Sequence, residues 1–399
     1  MDDFGLRKRF VQFDGLRGWA ALVVVCSHIR GLNLMPGQGV LDGDLIKVWD
    51  GGVAVMIFWI MSGFVLSRGI QYASLKQSGS LEKAPRKYIL QAYLRRYPRL
   101  IIPAVVSCIW MYLLFVTGAI DFSLPSLPDS EWLKTSAFNF DKRPYDICNY
   151  SLWKAIGSGL TFIKIFIPGL NPELDMYNPV LWTMKGEILG SFILFALFLF
   201  HRNVIFLSCL VLFILGGVYQ VEWLQSFMLG ILLALFMVEY GEKRAFFGRC
   251  LAGSFVVLLA VWSVGWLDVR MLIAYAIVIL VAFVSVFRSI CSNRLSLFFG
   301  KVSFSVYLVH FGVLFSLGRF VSSLLIPSFG LLAAQWACLA VTIFLSCILG
   351  FYMEKYVDVP AIRFSKKLAS SLYHWCFFMR RSEADRKETF RSLSLKKKR

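Results

Sequence analysis

The sequence predicts an all-α polytopic membrane protein with about ten transmembrane helices and both termini in the cytoplasm. Three observations carry that expectation. Of 399 residues, 58% are hydrophobic and only 17% charged, too few polar side chains to cover a water-facing surface. The apolar residues fall in runs near the roughly 20 residues that a helix needs to cross a bilayer while satisfying its own backbone. Lys and Arg, which outnumber Asp and Glu by 42 to 24, gather on alternate connections between those runs. A soluble multidomain enzyme is thereby excluded. So is a nucleic-acid partner, because the formal charge of +18 sits between apolar runs as an orientation signal and not on one basic face.

The spans fall at 14–34, 48–68, 97–117, 179–200, 203–219, 222–240, 247–266, 270–287, 302–325 and 329–352, the fifth and eighth being the shortest. The charged start MDDFGLRKRF precedes an apolar run without a small-residue cleavage site, so no removable signal peptide is expected. Arg7, Lys8 and Arg9 lie before the first span, and seven basic residues from Lys76 to Arg99 follow the second. Arg202, then Lys243, Arg244 and Arg249, then Arg288, Arg294 and Lys301 mark later connections on the same side. Residues 118–178 instead carry five basic against seven acidic residues, so this long connection is external. Within it, residues 151–167 (SLWKAIGSGLTFIKIFI) have the pattern of an amphipathic helix lying flat at the interface, either as a lid or as part of a plain surface loop. Residues 1–352 form the membrane unit and 353–399 a basic cytoplasmic tail, whose Lys396-Lys397-Lys398-Arg399 would sit near anionic headgroups. Nine cysteines without a C-x-x-C pair predict neither a disulfide framework nor a zinc site, and no bound metal is expected.

Ionisable groups inside a spanning helix cost several kcal/mol unless they face protein or water, so each one marks a candidate site. The first span holds Asp14, Arg17 and His28. Eleven residues separate Arg17 from His28, which places both on one face about 16 Å apart along the axis, and Asp14 lies on that same side of the helix. Such a stripe suits an anionic ligand at one end and proton removal deeper in. The bland alternative is that Arg17 reaches headgroups and His28 bonds a neighbouring helix.

The fourth span adds Glu187 about two turns inside the membrane, on one face with Thr183. Lys185 points elsewhere, so Glu187 must find its partner on another helix. Ser303, Tyr307 and His310 form a polar stripe on the ninth span, with Tyr307 readable as a structural hydrogen-bond group. Arg95, Arg96 and Arg99 cluster where the third span begins, either as a topology signal or as forks for a phosphorylated cofactor. Ser62 in Met61-Ser62-Gly63-Phe64 is a further polar contact candidate. No H-E-x-x-H, G-x-S-x-G or P-loop spacing occurs, which disfavours metal, serine and nucleotide hydrolysis.

Read in order, these residues resemble the integral-membrane acyltransferase family 3. Phe13 to Gly18 is similar to the family's D-G-L-R-G start, and Arg17 with His28 reproduces its spacing of an arginine, ten residues and a histidine. Ile57 to Phe64 (IFWIMSGF) resembles its F-F-x-I-S-G-F stretch, and Arg95 to Pro103 its Arg-rich opening of the third helix. Leu181 to Glu187 resembles its W-S-L-x-x-E segment, Phe299 to His310 (FGKVSFSVYLVH) its L-G-x-x-S-Y-x-x-Y-L-x-H helix, and Glu354 to Arg363 its E-x-P-A-R close. Thr183 stands where Ser is usual, Lys185 adds a charge, and Val359 precedes Pro360 where Arg is common.

The resemblance implies transfer of an acyl group, usually acetyl, from acyl-CoA to a carbohydrate hydroxyl on a surface polysaccharide or lipid-linked sugar, in a bacterial cytoplasmic membrane. In that reading His28 is the general base, Arg17 binds the donor or supports the oxyanion, and Glu187 orients an imidazole or the acceptor. Arg95, Arg96 and Arg99 would hold the coenzyme phosphates, and Asp14, Trp182, Tyr307 and His310 would contact substrate. A transporter or flippase for a lipid-linked sugar or small acid is the competing reading, weakened by the lack of internal repeats.

Overall fold

The computed structural model describes residues 10–36, 50–78, 85–120, 151–160, 177–240, 262, 265 and 267–375. Among them every regular element is helical. They are α1 (Val11–Gly31), α2 (Gly51–Ser78), α3 (Arg86–Val116), α4 (Leu152–Leu160), α5 (Trp182–Leu197) after a 3-10 turn at Pro179–Leu181, α6 (Arg202–Val218) and α7 (Glu222–Tyr240). Then come α8 (Val269–Phe283), α9 (Ser285–Ser292), α10 (Arg294–Val313), α11 (Arg319–Met353) and α12 (residues 359–375). Single π turns at Leu314–Gly318 and Glu354–Asp358 join the last three.

Among the described residues, four stretches are long and apolar enough to cross a membrane by length and composition, or five if α8 and α9, bent by 88°, make one broken span. The chain is an integral membrane protein. The helical stretch Arg294–Trp375 is broken at Gly330, with φ 77°, so the ninth and tenth runs, drawn at 302–325 and 329–352, fall on either side of a break near the expected boundary. At ~1.5 Å per residue, 82 residues would reach about 120 Å, so the glycine break is what lets this stretch fold back. Helices α6 and α7 are shorter apolar helices, and most of the run at 247–266 lies outside the described residues. At the bend, Val284 adopts an extended backbone, and Arg288 Nη2 donates to the Ala282 carbonyl at 2.7 Å. A break in apolar surroundings is tolerable because its loosened carbonyl regains a donor.

Helix α4 does not lie across the neighbouring helix. It runs antiparallel along α3: Gly159 sits against the Val105 backbone, and the Tyr97 hydroxyl donates to the Leu160 carbonyl at 3.0 Å. Small side chains at Ala155 and Gly159 let it approach, while Trp153 turns outward and is 80% exposed. Of the expected interfacial helix, residues 152–160 are helical and their axis follows α3; residues 161–167 fall outside the described set.

Helices α1 and α10 form the central pair. They run parallel in a constant register, Gly18 facing Gly300 and His28 facing His310, 282 residues apart in each case. Close approach is made possible by glycine: a Cβ on Gly18 or Gly300 would overlap the facing backbone, and one on Gly15 would overlap the Cys291 carbonyl. Trp19 Nε1 donates to Ser296 Oγ at 2.9 Å and locks the register. Replacing Gly300 by Val is expected to lower the apparent melting temperature of the detergent-solubilised protein, by the ~1–3 kcal/mol typical of overpacking or more. An unchanged melting curve would show that the two helices can separate without cost.

Candidate active site

A cavity of about 650 Å³ opens between α1, α2, α3, α5, α10 and the α11–α12 junction. Its walls carry four cations, Arg17, Arg96, Arg99 and Lys301, and four carboxylates, Asp14, Glu187, Glu354 and Asp358. Two of these ion pairs are closed. Arg96 pairs with Glu187, whose Oε1 also accepts from Ser62 Oγ at 2.7 Å, and Arg96 Nε donates to Ser191 Oγ at 2.9 Å. Lys301 Nζ lies 3.5 Å from Glu354 Oε2. Arg17 and Arg99 are different: both are half-buried on the cavity wall, and neither makes a hydrogen bond or ion pair among the described residues. Two guanidiniums with unused donors facing one cavity form a receptor for an anion.

The deep end is built by the start of α5. Asn178, fully buried, donates from Nδ2 to the Leu308 carbonyl at 2.8 Å, which ties the Pro179 turn to α10. That fixes Val180 and Thr183 beside Tyr307, whose Oη donates to the Val180 carbonyl at 2.8 Å and lies 2.7 Å from Thr183 Oγ1. Trp59 Nε1 holds the Thr183 carbonyl from α2 at 3.3 Å. Tyr307 and Thr183 line the cavity, and one turn farther along α10 comes His310.

His310 is wholly buried and its Nδ1 lies 2.8 Å from the Tyr307 carbonyl. A carbonyl only accepts, so Nδ1 carries the proton and Nε2 of the neutral ring is an acceptor. His28 Nδ1 lies 2.7 Å from that Nε2, with the two rings parallel to within 3°. In the neutral pair His28 Nδ1 is therefore the donor, and its basic lone pair resides on Nε2. The chain Tyr307 carbonyl, His310, His28 thus selects one tautomer of His28.

The structure brings together part of what the sequence singled out. Arg17, Asp14, Arg96, Arg99, Glu187 and Tyr307 share the cavity wall. His28 and His310 form their own pair beyond its deep end, and neither lines it. Of the two groups on the α1 stripe, Arg17 therefore lines the cavity and His28 does not. Arg95 stacks over Tyr88 with its guanidinium carbon 5.6 Å from the ring centre, away from the wall. Trp182 is 48% exposed and packs edge-on against Trp59, outside the cavity. Glu187 finds its partner on another helix, as its position required, and that partner is a guanidinium, not an imidazole. Lys301, Glu354 and Asp358 were not singled out. They lie in charged flanks where charge is ordinary, and the last two sit beyond the boundary drawn at residue 352, in a helix that continues to 375.

Comparison with known proteins agrees with the family resemblance. Residues 10–351 match the family described as an acyltransferase domain. O-acetyltransferase PaAT-1 of Phomopsis amygdali is 23% identical over 420 residues, an alignment covering 88% of this chain and 83% of its own. No solved structure matches.

Proposed function

Because the chain belongs to the integral-membrane acyltransferase family, we propose that it moves an acetyl group from acetyl-CoA to a carbohydrate hydroxyl, with His28 as general base. Family membership makes acyl transfer, not transport, the reaction class. The O-acetyltransferase relative supports acetyl as the group and oxygen as its destination. The single observation that carries the donor assignment is the pair of unengaged guanidiniums, Arg17 and Arg99, on a cavity that ends one helical turn short of an imidazole pair.

Arg17 and His28 are separated by about 16 Å along α1, the order of length of an extended pantetheine arm. Phosphates at Arg17 and Arg99 then leave the thioester to reach past Tyr307 toward the histidines. At that distance Arg17 serves the donor and is too far away to support an oxyanion at His28. With the Arg17 end facing the cytoplasm, donor and acceptor approach from opposite ends. The acceptor hydroxyl loses its proton to His28 Nε2 as its oxygen attacks the thioester carbonyl, and His310 Nε2 keeps the hydrogen bond from His28 Nδ1 while the imidazolium exists. The C–S bond then breaks, and the departing thiolate recovers the proton as coenzyme A.

Purified protein supplied with [¹⁴C]acetyl-CoA and candidate glycan acceptors tests the reading: acceptor-dependent release of coenzyme A thiol, with label on the glycan, is expected. Label that stays on the thioester with every hydroxyl acceptor would defeat it. In the same assay Arg99→Ala is expected to raise the KM for acetyl-CoA about tenfold or more, since charge-assisted hydrogen bonds to phosphate are lost. Arg95→Ala, with its side chain on Tyr88, should leave that KM unchanged. Equal KM increases in both variants would return the three arginines to a common role.

A further inference from the structure

One carboxylate on the cavity wall is set apart by an unpartnered oxygen. Asp358 lies on the π turn at Glu354–Asp358, lines the cavity, and is only 9% exposed. Its Oδ1 is buried without a hydrogen-bond partner. Arg99 and Arg17 are its charged neighbours of opposite sign, yet it forms an ion pair with neither. A buried carboxylate oxygen left without a donor is costly, by an amount that an ordinary structural role would be expected to offset with a neighbouring N–H or O–H. Asp358 closes the π turn, and both it and Val359, the next residue, line the cavity.

We propose that Asp358 is a specificity-determining residue for the thioester donor, accepting a hydrogen bond from an O–H or N–H group that lies beside the donor's phosphates. Resting on the donor assignment above, this narrows the ligand class. Two guanidiniums alone would accept any polyphosphate, whereas an anion set between them repels bare phosphate and favours a ligand that presents a hydroxyl or amide next to its phosphates, as a coenzyme A does. Asp358 is thus the element that separates coenzyme A thioesters from inorganic polyphosphates and acyl phosphates.

The test is the sign of an affinity change. Binding of coenzyme A and of pyrophosphate to the full-length protein in detergent would be measured by calorimetry at pH 8 for wild type, Asp358→Ala and Asp358→Asn. The expected result is a coenzyme A Kd raised about tenfold or more in Asp358→Ala, with the pyrophosphate Kd unchanged or lowered because a like charge is gone. Asp358→Asn keeps an acceptor oxygen and should regain most of the coenzyme A affinity, and it also serves if the alanine variant fails to fold. Tighter or unchanged coenzyme A binding in both variants would overturn the proposal and make Asp358 a counter-ion of Arg17 and Arg99. Wild-type protein that binds no coenzyme A would overturn the donor assignment itself, a different outcome from the first.

Discussion

Alanine at His28 is expected to reduce acyl transfer by about 10²–10⁴-fold, the usual contribution of a positioned general base, while the protein accumulates and folds as wild type does. The ring is half-buried, makes its hydrogen bond to His310, and packs edge-on against Phe311 at 5.8 Å between ring centres, so its removal leaves the helix interface largely intact. The loss should lie in kcat, because the proposed donor contact at Arg17 lies about 16 Å from His28 along α1. In the proposed mechanism His310 would act through His28, as a positioning residue. Replacing it by Ala frees His28 to place its proton on either nitrogen, so kcat should fall by less than in His28→Ala, with the KM for acetyl-CoA unchanged. Gln at 310 offers a side-chain oxygen to His28 Nδ1 and should recover part of that loss. Near wild-type turnover by His28→Ala would remove the imidazole from the mechanism.

The largest effect on stability is expected at the Arg96–Glu187 pair. Both side chains are largely buried between α3 and α5, and Ser62 and Ser191 complete their hydrogen bonds. Breaking such a pair by removing one partner leaves an uncompensated charge and costs about 3–5 kcal/mol. Glu187→Ala is therefore expected to lower the apparent melting temperature sharply and to reduce the yield of folded protein. The double variant Arg96→Met with Glu187→Leu should melt much closer to wild type, since replacing a whole buried pair by apolar side chains of similar volume is nearly neutral. If the single and double variants melt alike, the pair carries no coupling energy and Glu187 must be sought in the chemistry instead.

Much of this site could be read from the sequence because lipid penalises isolated charge. That penalty singled out Asp14, Arg17, His28 and Glu187, and helical geometry correctly demanded an interhelical partner for Glu187. What could not be read was pairing between helices distant in the chain. No local signal sets His28 against His310; the register comes from Gly15, Gly18 and Gly300 meeting across α1 and α10. Arg95, Arg96 and Arg99 look equivalent as a cluster, yet successive positions on a helix face different ways. One stacks on Tyr88, and of the two on the cavity wall one is paired with Glu187 and one is not. Asp358 escaped because intramembrane charge was sought within apolar runs, and the π turn that it closes begins where the last run ends.

The parallel course of α1 and α10 has a topological corollary. If both cross the bilayer, they do so in the same direction, so the chain between Gly31 and Arg294 must traverse it an odd number of times. An even tally there would force one of the two to run backwards and would carry His310 to the opposite leaflet from His28. The seven traverses drawn from hydropathy over that interval satisfy the parity. Any revised threading of α6 to α9 can therefore gain or lose passes only in twos.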